Sequence, residues 1–297
     1  MITKHIFYTF FLFVGLYSFT LSGSNSLFDK KTFTDAPTTL KLATKKLTKK
    51  EKDPYRKQLR AHTKKVIRFM TETELKEAAR LNIVLSDFDE ALLYLRQLVK
   101  ITQSITTAKN AKLEIADITF QMGNLKKAAE YYEEYISLYP GDKEKVAYAS
   151  YKGLLSHFYS MLPADRDQTS TLKTINLAHS FLSNKSSLFF KTYLKDVENI
   201  KTVCFSRLWE HDVVVFEFHM KRGTVKAANV CLADAREKLL PQLPGLEPKI
   251  LQCEYKVALA QNDTQRATRI SHDLATRFPE TVRVASVKKP TNFATRF

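Results

Sequence analysis

Six tyrosines fall within twenty-one residues of this 297-residue chain: Tyr131, Tyr132, Tyr135, Tyr139, Tyr148 and Tyr151. The chemistry such a set offers is recognition, because a tyrosine ring buries area while its hydroxyl stays available to a partner. Tyr132, Tyr148 and Tyr151 read as packing residues. Tyr131, Tyr135 and Tyr139 read as anchors for an extended apolar-aromatic segment of another protein. No Ser/His/Asp arrangement, paired carboxylates or phosphate loop accompanies them. The seven histidines are scattered, and His211 and His219 lie too far apart for a pair on one helical turn. Cys204, Cys231 and Cys253 sit at wide spacings inside apolar patterns without a CxxC or Cys/His cluster, so they read as core thiols. The sequence therefore predicts no enzyme, no metal site and no cofactor.

A second chemistry is electrostatic. The net charge is +16, and Lys41–Arg68 holds 12 Lys/Arg against only Glu51 and Asp53. Lys45, Lys46, Lys49, Lys50, Arg56 and Lys57 are candidates to meet an anionic surface, a membrane rather than a nucleic acid, since stacking aromatics are sparse among them. The solvated-tail alternative stands beside this reading.

Helices must position both sets. Few Gly and Pro and nearly continuous helical periodicity from Glu72 exclude an all-β fold. Five turns share one grammar, in which a residue tolerant of left-handed backbone is followed by a small residue at the helix seam. They are Ser86-Asp87-Phe88 with Ala91, Gly123-Asn124-Leu125 with Ala128, a third with an inserted loop and Ala178, Gly223 with Ala228, and Asn262-Asp263 with Ala267. The alanine spacings of 37, 50, 50 and 39 residues imply insertions near 162–168 and 184–192. This is the pattern of tetratricopeptide hairpins stacked into an all-α solenoid, each unable to bury its apolar face alone. Pro54 is expected to start an earlier helix with a sparse apolar face at Tyr55, Leu59, Val66 and Phe69. Asp167 is expected to cap the helix after the inserted loop, with Arg166 bracing that loop.

Lys4-His5, the apolar run Ile6–Leu21 and Ser22-Gly23-Ser24 read as a secretory signal peptide. No cysteine follows that run, so a lipoprotein signal is not expected. The domain reading is 1–24 signal peptide, 25–70 basic linker with a first helix, 71–281 solenoid and 282–297 tail. The terminal Phe297 lacks the alternating pattern of a barrel strand.

Tyr148-Ala-Ser-Tyr151-Lys152-Gly153-Leu154, Asp165-Arg166-Asp167, Trp209-Glu210 and Phe216-Glu-Phe-His-Met-Lys221-Arg222-Gly223 follow in order. In that order the chain resembles the BamD family, the periplasmic tetratricopeptide subunit of outer-membrane β-barrel assembly. The resemblance covers roughly 74–280. It implies a scaffold associated with the outer membrane whose partners are unfolded outer-membrane proteins and the barrel subunit, with Arg166, Asp167 and Arg222 joining the tyrosines as contact residues. The chain departs from the pattern in three ways. It has no lipidated cysteine at a mature start, no proline turn in Ile101–Thr107, and Cys231 where the family has an arginine. A thiol cannot supply the planar fork that pairs with a carboxylate. A generic periplasmic adaptor and an exported nucleic-acid-binding protein are the alternative functions.

Overall fold

The computed structural model describes residues 48–62, 65–184 and 187–279, and the signal segment, Lys45, Lys46 and the tail lie outside them. The described residues form twelve α-helices and two 3-10 helices, and no strand. The fold class is all-α and tetratricopeptide-like, as the turn grammar predicts. The helices are α1 (Lys49–His62), α2 (Glu72–Leu85), α3 (Phe88–Ile101), α4 (Ile105–Gln121), α5 (Leu125–Leu138) and α6 (Lys143–Tyr159). They continue as α7 (Thr169–Ser183), α8 (Leu188–Lys191), α9 (Leu194–Lys221), α10 (Val225–Lys238), α11 (Glu247–Ala260) and α12 (Thr264–Arg277). Two compact units divide between Ala91 and Leu92.

In the amino-terminal unit, α1 starts at Lys49, one turn before Pro54, which lies inside it. The expected start at Pro54 is corrected by an upstream cap. Glu51 Oε2 accepts from Thr48 N at 2.7 Å, and Thr48 Oγ1 accepts from Glu51 N at 3.4 Å. That reciprocal pair satisfies helix-start donors and sets the start where the proline could not. Helix α2 repeats the device with Thr71 and Glu74, and buries Leu75, Ala78, Leu81 and Ile83. Lys52 Nζ donates to the free carbonyl of Leu85 at 3.1 Å, tying α1 to the end of α2.

Among the described residues, the non-glycine residues with left-handed backbone are Ser86 (φ 64°) and Asn262 (φ 57°), and the glycines are Gly123 (φ 78°) and Gly223 (φ 70°). All four stand at predicted turns. Each is followed by an amide that reaches back five residues: Asp87 to Asn82, Asn124 to Thr119, Thr224 to His219 and Asp263 to Ala258, at 2.8–3.2 Å. These bonds satisfy carbonyls that a helix end leaves open. Because an L side chain is strained there, Gly123→Ala is expected to lower unfolding free energy by about 1 kcal/mol, read by urea denaturation.

In the carboxy-terminal unit the hairpins α4/α5, α6/α7, α9/α10 and α11/α12 pack in succession. The seam alanines Ala128, Ala178 and Ala228 have no exposed surface, and Ala267 has little. One core runs through Leu154, Phe181, Phe190, Val197, Trp209, Phe216 and Ile250. The second insertion is a folded device, not a loop. Helix α8 sets Phe190 against Phe181 with ring centroids 4.7 Å apart, and Tyr193 stacks on Tyr151 at 4.5 Å. Helix α9 then runs for 28 residues and packs first on α7 and then on α10.

Candidate protein-binding surface

Helix α5 separates two grooves of the carboxy-terminal unit. The first, about 300 Å³, is bounded by Arg96 and Val99 of α3, Lys112 and Ile115 of α4, and Tyr131 and Glu134 of α5. Lys112 and Glu134 form an ion pair across it. The second, about 550 Å³, has Ile136 of α5, Val146 and Leu154 of α6, Leu177 and Phe181 of α7, and Phe189 of α8 among its walls. Glu133 stands at this groove and receives Lys173 Nζ at 3.0 Å, while His157 Nε2 lies 3.5 Å away. Burial and Lys173 hold His157 below its ordinary pKa, with Glu133 opposing. Apolar walls with a few charges at the edge can accept side chains of an extended segment and fix its direction.

Tyr131 is half-buried in the wall of the first groove, where Lys127 Nζ lies 5.6 Å from its ring centroid. Tyr139 is also half-buried, at the end of α5, tilted against Tyr135 at 5.2 Å. Tyr135 corrects the expected anchor set. It has no exposed surface, burial and Asp142 push its ionisation upward, and it packs with Leu113 and Ala149. A residue so enclosed cannot reach a partner without repacking.

The inserted loop brings a second correction. Asp167 does not cap α7; its Oδ1 accepts from Thr169 Oγ1 at 2.8 Å, and the N-cap position belongs to Gln168. Buried Gln168 does the bracing expected of Arg166. Its Nε2 donates to the carbonyls of Pro163 and Arg166, and its Oε1 accepts from Thr171. Arg166 stays exposed, 3.9 Å from Asp165. The loop is also fastened to α9, where Arg207 donates to Leu162 O at 3.3 Å and His211 Nδ1 meets Ala164 O at 2.6 Å. Arg166 and Asp167 are thus presented outward by a braced loop. Arg222 ends α9 with its guanidinium 5.3 Å over the ring of Phe218, which is 52% exposed. Tyr131, the loop pair and Arg222 therefore lie at separate places along the array rather than in one pocket.

Sequence reading missed a buried polar node beneath α5. Asp117, 1% exposed, accepts at Oδ1 from Tyr132 at 2.6 Å and from Tyr148 at 2.8 Å, while its Oδ2 has no hydrogen-bond partner. Lys152 is buried on α6 with Nζ 4.0 Å over Phe120. Burial pushes Asp117 up to about 6, against the two phenols and Lys152. Burial and then Asp117 push Glu114 up to about 7, against Lys145. The available signal was the lone acid in Ile115-Ala116-Asp117-Ile118, an apolar run. The node holds α4, α5 and α6 in register and so sets the grooves on either side of α5.

The thiols are structural. Cys204 and Cys253 are buried, and burial pushes them up to about 12 and about 11, away from the reactive thiolate. Cys231 is half-buried and donates to Asp212 O at 3.4 Å, bonding the α9/α10 seam inward.

A family model described as "YfiO: Outer membrane lipoprotein" matches residues 68–232, from the approach to α2 into α10. The chain belongs to the YfiO family. This is the family to which the BamD resemblance points. No curated protein matches the chain. Among solved structures it is similar to the crystal structure of BtubC (BKLC) from P. vanneervenii, at 17% identity over 87% of this chain and 95% of that chain. The TM-score of 0.22 is too low to bear on fold or function. Among the described residues of this YfiO-family chain, no helix is long and apolar enough to cross a membrane.

Proposed function

We propose that this protein is a non-catalytic periplasmic scaffold of the outer-membrane β-barrel assembly machinery, associated with the outer membrane. Its family supports the compartment and the process, and the match over residues 68–232 is the observation that carries the reading. The two grooves flanking α5 capture an extended, aromatic-bearing segment of an unfolded outer-membrane protein. Tyr131 serves as a contact residue in the first groove, and Tyr139 as one at the end of α5. Arg166, Asp167 and Arg222 face the barrel subunit from the braced loop and the end of α9. Such capture is reversible because open grooves bury limited area and their charges lie near water.

Cys231 turns toward Asp212 O, so docking on the barrel subunit leans on Arg222 and Phe218 instead of an arginine on α10. Crosslinking in intact cells, followed by envelope solubilisation and mass spectrometry, tests the reading. It predicts near-stoichiometric recovery of the large barrel-assembly subunit, reduced at least tenfold by Arg222→Glu. Recovery of other envelope proteins without that subunit overturns it in favour of a generic periplasmic adaptor.

A further inference from the structure

Helix α1 has two faces of opposite character. Lys52, Tyr55 and Leu59 are half-buried on its inner face, with Lys52 held by Leu85 O and Gln58 Nε2 donating to Glu77 at 3.0 Å. Lys49, Lys50, Arg56, Lys57 and Arg60 are exposed and, at 100° per residue, share an arc of about 120°. The acid within that arc, Asp53, is 3.6 Å from Arg56, and Glu51 is committed to the Thr48 cap. This cationic face is built on a capped, docked helix and is not merely a charged stretch of chain.

Immediately beyond it, the 3-10 turn Ile67–Phe69 holds up two large apolar side chains. Val66 is 59% exposed and Phe69 66% exposed, with the Arg68 guanidinium 4.8 Å over the Phe69 ring. The turn is closed by Phe69 N to Val66 O at 2.9 Å, and Lys65 pairs with Glu74 beside it. One exposed apolar residue needs no explanation, but two within four residues next to a cationic face form a recognisable pair of signals. Cations meet lipid phosphates, and a phenyl ring enters the boundary between headgroup and acyl chain. A nucleic acid would use the cations but offers nothing to the isopropyl group of Val66.

We propose that the outer face of α1, together with Val66 and Phe69, is a peripheral docking surface for an anionic phospholipid bilayer. Helix α1 and Val66 precede residue 68, where the family match begins, and Phe69 lies just inside it, so the cationic face is an attribute of this chain rather than of the matched repeats. The inference does not depend on the barrel-assembly reading.

The test is co-sedimentation of the full chain with vesicles of pure phosphatidylcholine and of equimolar phosphatidylcholine and phosphatidylglycerol, at low and high salt. Charge-dependent binding is the difference between the two vesicle types, so any charge-independent contact cancels. At about fivefold per cation, Lys50→Gln/Lys57→Gln/Arg60→Gln is expected to weaken that difference by about 100-fold. Val66→Ser/Phe69→Ser is expected to weaken total binding to both vesicle types by about tenfold, at low salt and at high salt where the cations are screened. All five positions are exposed, and glutamine keeps the helix, so circular dichroism should be unchanged. Wild-type binding that ignores phosphatidylglycerol overturns the proposal, as does wild-type-like binding by either variant. Salt-sensitive binding to duplex DNA that is lost in the triple variant, without vesicle binding, assigns the face to nucleic acid instead.

Discussion

Replacing Tyr132 by alanine is expected to destabilise the carboxy-terminal unit by about 4 kcal/mol, whereas phenylalanine costs about 1.5 kcal/mol. The ring has no exposed surface and packs among Leu113, Ala116, Ala128 and Ala149. A Cβ added at Gly153 would lie 3.5 Å from Tyr132 Cβ, which shows how closely the α6 backbone approaches it. Alanine removes the ring and leaves a cavity that three helix backbones cannot close. Phenylalanine keeps the shape and deletes one of the two phenol donors to Asp117, leaving Tyr148 to hold Oδ1. Urea denaturation of the three proteins separates the packing contribution from the hydroxyl. Equal losses for the two variants would assign the whole effect to the polar node.

The second large effect concerns pH. Asp117 is raised from an ordinary 3.8 to about 6 in the folded chain, chiefly by burial. Between those values the folded state binds more protons than the unfolded state, so stability falls as pH rises. The contribution is fully present below about pH 4 and lost by about pH 6. Its size is about 3 kcal/mol at 1.36 kcal/mol per pH unit. Glu114 acts in the same sense over a window that reaches about 7. Asp117→Asn removes the first contribution and, because the Asp117 charge helps raise Glu114, reduces the second, which burial still sustains. The unfolding free energies of wild type and Asp117→Asn, measured by urea at pH 4, 5, 6 and 7, should diverge by about 3 kcal/mol between pH 4 and pH 6. A pH-independent difference would show that Asp117 does not titrate in that window.

Much of the fold was legible because its punctuation is chemical. Left-handed backbone admits few residue types, so Ser86, Gly123, Gly223 and Asn262 announced the turns, and Ala128, Ala178 and Ala228 announced the seams. The third hairpin, expected from periodicity as helices Val146–Ser160 and Thr169–Leu182, is found within a few residues of that as Lys143–Tyr159 and Thr169–Ser183. Long-range partnerships were not legible. Nothing local in Asp165-Arg166-Asp167 shows that Gln168 would turn back onto Pro163 and Arg166, or that α9 would fasten the loop from above forty residues away. Nor does a tyrosine's neighbourhood in the chain separate Tyr131, in a groove wall, from Tyr135, fully enclosed. The difference is which face of α5 meets α4 and α6, and both residues lie within one short amphipathic helix. Of the basic run, the described part became a capped helix because Thr48 and Glu51 stand three residues apart, a spacing whose meaning Pro54 obscured.

Helix α9 is about 42 Å of uninterrupted hydrogen-bonded backbone at 1.5 Å per residue. It belongs to the third hairpin at one end and to the fourth at the other. A bend between those hairpins would have to break the helix, so they move together as a lever. Arg207 and His211 sit near its midpoint and grip the loop that carries Arg166, while Arg222 rides on its tip. A load applied at Arg222 therefore arrives at Arg166 as displacement of a rigid bar, with no intervening joint to absorb it.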